Sequence, residues 1–503
     1  MTARRGEIVV GRHVRGRVTL DADVVIVGSG AGGATVADAL TRAGKRVVVL
    51  EEGPYVPPEA HAAMRPSESL RHVWRDGGMT FAVGLGDSPF VNVTMGRGVG
   101  GSSAVTGGVC FRTPGEVLDD WSRRLGLEEL SEEGLAPHFD AVERMIHVET
   151  VPPEMRSGST VRFGEGLRAL TGRELLPIRR NTRGCEGEGV CNFGCPHGHK
   201  LSVDRALLPG AVARGAVLVS DCLVDRVLFR GRRAVGVRGH LAGGGRRRVT
   251  VRAGRVVVAT GAWHGPLLLG RSGIRHRMLG KKLTLHPSFR VAARFDEPVR
   301  GWAGALQSAW SDAFMREGIT LISVFVPPAV VAAAIPGVGP EHARRAADID
   351  HVAMFGALVH DEGGGRVRRG LGREPLVTFR MGRGERAAMP RAVRIAAEIF
   401  FAAGAREAYL PVIGLPPVRP GELAGLRLES LPGRAFECTS QHPLGTATMG
   451  VDPRTSVVDP DGRVRDVDGL WVADGAIVPT SLGVNPQLTV MAMALRVASK
   501  MLG

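Results

Sequence analysis

The sequence contains few tyrosines, few tryptophans and no long basic run, although its net charge is strongly positive. The charge of +15 comes from 65 Lys and Arg residues against 50 Asp and Glu residues, scattered through glycine-rich and alanine-rich sequence. Proteins that bind nucleic acid through charge and stacking concentrate basic residues on one surface and expose aromatic rings. We therefore expect no nucleic-acid partner and attribute the high charge to a compositional preference for arginine.

Long apolar runs and cysteines are scarce too. The longest apolar run, residues 321–336, contains Pro327 and Pro328 and is too short to cross a bilayer. It predicts core or one wall of an apolar pocket, and we expect no integral membrane segment. No apolar stretch follows the N-terminal arginine pair as it does in a secretory signal, and six cysteines do not form a disulfide scaffold. These features favour a reducing, cytoplasmic location.

A nucleotide-binding fingerprint occupies residues 22–53, ADVVIVGSGAGGATVADALTRAGKRVVVLEEG. Apolar runs on either side of a helical pattern predict a strand-turn-helix-strand unit rather than an isolated glycine-rich turn. The predicted elements are a strand at residues 24–27, a helix at residues 34–42 and a strand at residues 47–50.

Individual residues of this unit have separate physical tasks. Gly28, Gly30 and Gly33 provide the tight turn, the close approach of the backbone to a pyrophosphate, and the packing of helix against strand. The N-terminus of the helix stabilises the phosphates. Glu51 follows the second strand at the spacing where a carboxylate accepts hydrogen bonds from an adenosine ribose.

Further nucleotide-domain signals recur in separated blocks, and a chain of 503 residues exceeds what one hydrophobic core usually serves. We therefore predict an α/β protein with a Rossmann-like domain and an inserted α+β substrate domain built on an antiparallel sheet. The ligand pocket is expected where the two domains face each other. The predicted domains are residues 1–114, 181–289 and 431–503 for the first, and residues 115–180 and 290–430 for the second.

Two residues near the C-terminal end are candidates for redox chemistry: His442 in SQHPLGTATMG and Asn485 in SLGVNPQLTVMAMAL. Histidine suits a general base at neutral pH because its ordinary pKa is about 6.5. A core histidine bonded to the backbone is the alternative for His442. Asn485 precedes Pro486 and an apolar helical pattern, so it also fits an N-cap followed by proline at the first helical position. Both interpretations of Asn485 stay open.

Four ordered motifs resemble the glucose-methanol-choline family of FAD-dependent oxidoreductases. They are GRGVGGSSAVTGGV at residues 96–109, GAWHGPLLLGRSGI at residues 261–274, HPLGTATMG and NPQLTVMAMA. Within the family, the histidine and asparagine pairing resembles cholesterol oxidases, and the cysteine-rich segment resembles bacterial long-chain alcohol oxidases. The resemblance implies that FAD accepts hydride from an alcohol while His442 acts as base and Asn485 contacts the substrate hydroxyl.

The resemblance also implies a set of cofactor contacts. These residues are Gly96, Arg97, Gly100, Gly101, Ser102, Ser103, Val224, Thr260, Gly261, Asp474, Gly475, Pro486 and Gln487. The sequence departs from the family pattern at Thr106, Gly265 and Arg275. Ala104 stands where some members carry a histidine that bonds covalently to the flavin, so we expect non-covalent FAD.

The segment GCEGEGVCNFGCPHGH places Cys185, Cys191 and Cys195 close to His197 and His199. Thiolates and imidazoles are ligands that zinc prefers, but this spacing matches none of the common zinc or iron–sulfur patterns. We expect a structural loop and no metal. Two alternative functions stay open: a lyase that uses FAD only structurally, and an electron-transfer protein with a cysteine-bound metal.

The substrate is predicted only as a class. Phe81, Trp302, Phe314 and Phe325, together with the apolar run of residues 321–336, indicate a mainly apolar pocket. We expect a lipophilic primary or secondary alcohol as the small-molecule partner. The sequence does not choose between oxygen and another electron acceptor.

Overall fold

Two large β-sheets organise the chain in the computed structural model, which describes residues 4–243 and 247–503. In these residues the strands are β1 Ile8–Val10, β2 Val18–Val27, β3 Val47–Leu50, β4 Phe81–Gly84, β5 Val91–Val93, β6 Val148–Thr150, β7 Leu176–Pro177, β8 Arg179–Asn181, β9 Val217–Ser220, β10 Cys222–Arg230, β11 Arg233–Leu241, β12 Arg247–Val258, β13 Lys281–Leu283, β14 Ser288–Arg294, β15 Ala309–Ser311, β16 Ile319–Ser323, β17 Val352–Val359, β18 Gly365–Arg369, β19 Pro375–Phe379, β20 Glu407–Tyr409, β21 Cys438–Ser440 and β22 Leu470–Val472. The α-helices are α1 Ala31–Arg42, α2 Pro58–Ala62, α3 Pro66–Val73, α4 Gly115–Arg123, α5 Glu132–Met145, α6 Gly158–Thr171, α7 Val203–Ala206, α8 Leu208–Ala213, α9 Gly261–Arg271, α10 Pro328–Ala334, α11 Gly339–Ala347, α12 Arg383–Ala402, α13 Pro420–Leu423 and α14 Gln487–Leu502.

The first sheet has eight strands in the order β1-β9-β3-β2-β12-β11-β10, with β22 paired to β12. The pairs from β1 through β12 are parallel, as is the pair of β12 with β22. β10, β11 and β12 form an antiparallel meander. Parallel strands are covered on both faces, which explains why residues 24–27 of β2 form an uninterrupted buried apolar run. This sheet is the predicted Rossmann-like sheet.

The predicted nucleotide-binding unit is present, with different bounds for two of its three elements. β3 has the predicted bounds, whereas β2 begins at Val18 and α1 begins at Ala31. The strand is longer because residues 18–22 alternate between buried and exposed positions and pair with β12. The helix starts earlier because Gly30 is its N-cap, so Gly33 lies inside the helix rather than before it.

The second sheet has twelve strands in the order β13-β18-β19-β4-β5-β21-β14-β17-β16-β15-β7, with β20 paired to β14. Its pairs are antiparallel except for β19 with β4 and β21 with β5. Helices α6 and α12 cover this sheet through aromatic contacts: the Phe163 ring stacks on Phe355 at 3.7 Å and meets the edge of Phe400 at 5.0 Å. The mixed α/β architecture predicted from the sequence is confirmed.

The second sheet includes segments that the predicted boundaries give to the first domain, namely β4, β5, β13 and β21. The division into two domains at those boundaries stays a proposal. In the apolar run of residues 321–336, the part in β16 is buried as predicted for core, whereas α10 buries only Val331 and leaves Ala329, Ala333 and Ala334 exposed. In the part of the chain that the structure describes, no helix combines the length and apolarity needed to cross a membrane.

Candidate active site

Neighbouring parallel strands of the first sheet end at a common edge, where four residues predicted for the site lie. Gly28 follows β2, Glu51 follows β3, Thr260 lies just beyond β12 and Asp474 just beyond β22. All four line one cavity. Open α/β sheets bind ligands at the carboxyl ends of their strands, because the turns there are free to vary. The topology therefore gathers residues from distant parts of the sequence into one site.

The glycines of the first turn differ in what surrounds them. Gly28 has a φ of +101°, and a Cβ added there would lie 2.1 Å from the Ala259 carbonyl oxygen. A Cβ added at Gly33 would lie 2.0 Å from the Gly28 carbonyl oxygen. At Gly30 an added Cβ meets only the Gly101 Cα, at 3.8 Å. Packing therefore requires Gly28 and Gly33, whereas Gly30 leaves space on the cavity side.

Glu51 is buried beside this turn and accepts hydrogen bonds from the protein. One carboxylate oxygen accepts from Ser29 N at 3.0 Å and Ser29 Oγ at 2.7 Å, and the other accepts from Gly53 N at 2.9 Å. Burial raises the pKa of Glu51 above its usual range. The second oxygen retains a lone pair, so Glu51 both organises the turn and keeps one acceptor for a hydroxyl group.

The loop of residues 96–109 lines the cavity. Two buried cationic side chains donate hydrogen bonds to its carbonyl groups. Lys200 Nζ donates to the carbonyl oxygens of Ala104 at 2.8 Å and Thr106 at 2.9 Å. Arg180 Nε donates to the Gly107 carbonyl oxygen at 2.8 Å. Burial lowers the pKa of Lys200 to about 8. Because buried carbonyl groups need donors, these side chains fix the path of a loop that has little other secondary structure.

The cysteine segment packs against the same two cations. Cys191 and Cys195 are buried and Cys185 is half-buried, all three as free thiols. Arg180 Nη2 donates to Cys191 Sγ at 2.9 Å, and Lys200 Nζ donates to the Cys191 carbonyl oxygen at 2.8 Å. The segment thus supports the cavity loop, which accords with a structural role. The absence of a metal stays a prediction.

A different group brings three ligand atoms within 4.8 Å of one another in the described part of the chain, namely Glu186, Glu188 and His197. Two of these side chains are exposed or partly exposed acids on the same segment. Exposed acidic groups commonly lie this close without an ion, so we assign no metal to them.

His442 and Asn485, separated by 43 positions in sequence, meet at the cavity wall. Asn485 Nδ2 lies 3.2 Å from His442 Nε2, a distance at which the amide donates to the imidazole. Burial lowers the pKa of His442 to about 4, so the ring is neutral at pH 7. His442 Nδ1 and Asn485 Oδ1 are buried and have no partner among the described residues. The pair therefore offers both a basic nitrogen and free hydrogen-bonding capacity to a ligand.

The predicted N-cap role of Asn485 is wrong. Helix α14 begins at Gln487, its N-cap is Pro486, and the first helical bond runs from Val490 N to the Pro486 carbonyl oxygen. No side chain of a described residue caps this helix. The Asn485 amide is instead directed to His442, a contact that no local pattern encodes.

His286, which no sequence pattern identified, supports the segment that carries Asn485. Its Nε2 accepts hydrogen bonds from Leu482 N at 3.0 Å and Gly483 N at 3.3 Å. Its ring centroid lies 5.3 Å from that of His442. Burial, together with the neighbouring His442, lowers the pKa of His286 well below its ordinary value. A neutral His286 thus fixes the chain just before Asn485.

Most of the predicted cofactor residues line the cavity together with His442 and Asn485. Those that do are Gly28, Gly30, Glu51, Gly96, Gly101, Ser102, Ser103, Val224, Thr260, Gly261, Asp474, Gly475, Pro486 and Gln487. Gly33, Arg97 and Gly100 are not part of its lining: Gly33 packs on the turn, Arg97 is exposed, and Gly100 N donates to Ser29 Oγ at 3.2 Å. Thr106 lines the cavity, whereas Gly265 and Arg275 do not.

Sequence reasoning missed several polar residues of the lining. Ser29, Glu52, Arg75, His264 and Gln307 all contribute to it. Glu52 pairs with Arg75, and although burial opposes its ionisation, the guanidinium holds the pKa of Glu52 below its usual range. The position of Glu52 directly after Glu51 was the one feature of the sequence that could have placed it at the site.

The aromatic residues predicted for an apolar pocket lie elsewhere. None of Phe81, Trp302, Phe314 and Phe325 belongs to the cavity lining. Phe81 and Trp302 are exposed, and Phe325 packs in a separate cluster that includes Val331. The prediction that these rings line the pocket is wrong, because Phe81 and Trp302 lie at the surface and Phe325 packs in the separate cluster.

Comparisons with known proteins agree with this architecture. Sequence profiles of the GMC oxidoreductase family match residues 22–288 and residues 372–494. An uncharacterised GMC-type oxidoreductase of Mycobacterium tuberculosis is 39% identical over 95% of this chain and 75% of that protein. A long-chain-alcohol oxidase of Arabidopsis thaliana is 25% identical over 99% of this chain and 68% of that protein. The crystal structure of pyridoxine 4-oxidase from Mesorbium loti superposes with a TM-score of 0.72 at 20% identity, covering 95% of this chain and 98% of that chain.

Proposed function

Because the chain belongs to the GMC oxidoreductases, FAD-dependent enzymes that act on CH–OH donors, we propose that it oxidises a lipophilic alcohol with His442 as general base. The product is an aldehyde or a ketone. The observation that carries the proposal is the 3.2 Å contact between Asn485 Nδ2 and His442 Nε2 in the cavity that begins at the glycine turn.

The cavity residues fit FAD. The open space at Gly30 allows the backbone to approach a pyrophosphate, and Glu51 keeps an acceptor for a ribose hydroxyl. Thr260 Oγ1 and Gln487 Nε2 line the cavity as buried polar atoms without a partner in the described residues. A buried polar atom without a hydrogen bond is costly, so these atoms support a polar ligand that supplies the missing partners.

The active pair provides the proton chemistry. When bound, FAD supplies the acceptor for the hydride that leaves the carbinol carbon. His442 Nε2 takes the hydroxyl proton as the C=O bond forms, once the substrate hydroxyl has replaced the Asn485 amide that donates to this nitrogen here; the low pKa of the ring keeps the nitrogen unprotonated at neutral pH. Asn485 holds the ring in position before substrate binds, and its displaced amide then donates to the substrate oxygen and orients it. The buried surroundings exclude water, which strengthens both contacts.

The lipophilic character of the substrate rests on the cavity lining and on relatives. Met95, Val109, Leu444 and Val490 are buried apolar residues of the lining. The Arabidopsis relatives are named long-chain-alcohol oxidases, and the acceptor we propose is accordingly oxygen. Apolar residues of the lining bind a hydrophobic alcohol by burying its surface, while the polar active pair orients its hydroxyl.

Anaerobic titration of the purified holoprotein tests this function. We expect medium-chain and long-chain alcohols to bleach the visible absorbance of the flavin, and air to restore it. A lyase that uses FAD only structurally leaves the absorbance unchanged while it consumes its substrate. Bleaching that air does not reverse would mean that the electron acceptor is not oxygen. If no alcohol of the panel bleaches the flavin, the proposal is contradicted.

We expect the FAD to be held without a covalent bond. Position 104 is an alanine, which offers no nucleophile to the flavin, and no histidine lies in the loop of residues 96–109. Acid precipitation should therefore leave a colourless pellet and a yellow supernatant. Flavin that stays with the denatured chain, detected by its absorbance or by the mass of a tryptic peptide, would refute this expectation.

Asn485→Asp should change the pH dependence of flavin reduction. A carboxylate in hydrogen-bond range of His442 stabilises the imidazolium and raises the pKa of the ring from about 4, so the free base becomes available only at higher pH. Asn485→Ala is the matched control, since it removes the amide and adds no charge. Compared with that control, we expect Asn485→Asp to be about tenfold slower near pH 6 and to approach it at alkaline pH. Parallel pH profiles for the two variants would show that residue 485 does not act on the base.

A further inference from the structure

Four adjacent strands of the second sheet, β18-β19-β4-β5, have one buried surface and one exposed surface. Val367, Val377, Ala82 and Val91 on the inner surface are each at most 5% exposed. Successive residues of a strand point to opposite faces, so the side chains between these positions point outward. On the opposite surface Val83, Asn92 and Thr378 are partly buried, whereas Phe81, Arg366, Arg368 and Leu376 are exposed.

The outer surface carries large apolar side chains. Phe81, Phe90 and Leu376 are 44%, 56% and 48% exposed, and Met79, just before β4, is 63% exposed. The pairing of Thr378 with Val83 places Leu376 beside Phe81 on this surface. Single exposed apolar residues are ordinary, but a contiguous set on neighbouring strands marks an interaction surface.

Two arginines adjoin this apolar set. Arg366 pairs with Thr378 and Arg368 pairs with Leu376 across β18 and β19, so both share the outer surface. Both are exposed and neither has an ion pair or hydrogen bond with another described residue. The four strands, FAVG, VNV, GRVRR and PLVTF, contain no acidic residue. We call Met79, Phe81, Phe90, Arg366, Arg368 and Leu376 the outer face.

We propose that the outer face binds the surface of a bilayer that contains anionic lipids. Unpaired arginines are attracted to anionic headgroups, and exposed phenylalanine, leucine and methionine side chains insert at the boundary between headgroups and acyl chains. The net charge of +15 adds a long-range attraction to such a surface. A second copy of the chain fits less well, because a twofold contact would place unpaired arginines on the same apolar patch without a carboxylate to neutralise them. The proposal does not depend on the reaction proposed above.

Sedimentation with lipid vesicles tests this assignment with the full-length holoprotein. We expect binding to vesicles of phosphatidylcholine with about one third phosphatidylglycerol, weaker binding to phosphatidylcholine alone, and release by salt, because the Debye length shortens from about 10 Å at 0.1 M to about 3 Å at 1 M. Arg366→Glu with Arg368→Glu should weaken binding to the anionic vesicles at least about tenfold. Phe81→Ser with Phe90→Ser should weaken it even at low salt, since the inserted apolar area is lost.

The matched control is Arg230→Glu with Arg233→Glu. These arginines are an exposed cross-strand pair on the hairpin of β10 and β11 in the first sheet, so the variant changes the net charge equally at another place. Equal loss of binding in the control and in Arg366→Glu with Arg368→Glu would overturn the assignment in favour of net charge alone. Absence of vesicle binding by the unmodified protein, or self-association abolished by the outer-face variants, would also overturn it. Retained flavin absorbance and an unchanged melting temperature establish that each variant is folded.

Discussion

His442→Ala is expected to slow anaerobic flavin reduction by roughly 10²-fold or more while FAD stays bound. The imidazole is the side chain of the cavity whose low pKa, about 4, leaves a free base at neutral pH next to Asn485. Alanine removes the proton acceptor but leaves the turn at Gly28, where the nucleotide half of the cofactor is expected to bind. The rate loss should ease at high pH, where solvent hydroxide accepts the hydroxyl proton. Stopped-flow absorbance under nitrogen measures the reduction directly.

His61→Ala is the matched control for this variant. His61 is also buried, burial lowers its pKa to about 4 as well, and its Nε2 lies 3.0 Å from Ser69 Oγ. It does not line the cavity. If both variants reduce the flavin equally slowly, the loss reflects damage to the fold. If His442→Ala reduces it at nearly the normal rate, the base lies elsewhere and the lyase and electron-transfer functions gain support.

Gly30→Val should give a protein that folds but is purified without its yellow colour. Gly30 has ordinary extended backbone angles and open space around its Cα, so a larger side chain meets the cavity rather than the protein. The side chain then occupies the place where the backbone approaches the pyrophosphate. Overpacking costs of about 1–3 kcal/mol correspond to roughly 5-fold to 150-fold weaker binding, and the contact here is at the centre of the cofactor. Reconstitution of the apoprotein with FAD, followed by fluorescence quenching, measures the loss.

Substitutions at two other glycines serve as comparisons for this variant. Gly270→Val introduces the same side chain at an exposed helical position with nothing within 4 Å of an added Cβ, and it should retain FAD. Gly28→Val should fail to fold, because the backbone angle and the Ala259 carbonyl oxygen both exclude a side chain. Normal FAD affinity in Gly30→Val would remove this turn from the cofactor site.

The nucleotide-binding unit could be predicted from local sequence patterns because its strands, turn and helix follow one another directly in the sequence. β3 has the predicted bounds, and Gly28 and Gly33 are packed against backbone carbonyl groups, whereas the approach of Gly30 to a pyrophosphate stays a prediction. The helix begins three residues earlier than predicted, since a helix tolerates Gly32 and Gly33 when close packing demands them. The second sheet was foreseen only as a class. Its pairs join segments as distant as β4 and β19, about which no short stretch of sequence carries information.

The candidate site also depends on contacts between residues that are distant in the sequence, which local patterns do not predict. Motif resemblance identified His442 and Asn485, yet the local cap pattern assigned the Asn485 side chain to a helix that it does not cap. Lys200 and Arg180 were overlooked because charged residues are ordinarily expected at the surface. Their burial follows from carbonyl groups of the loop of residues 96–109, whose need for donors becomes visible only in three dimensions.

The gathering of strand ends from across the sequence also sets an order of events during protein synthesis. The edge that carries Gly28 and Glu51 is translated early, whereas Asp474 and Asn485 emerge from the ribosome several hundred residues later. Until they do, β12 lacks its partner β22 and the cavity has no wall on that side. A nascent chain therefore cannot retain FAD firmly, and cofactor loading is expected to follow translation.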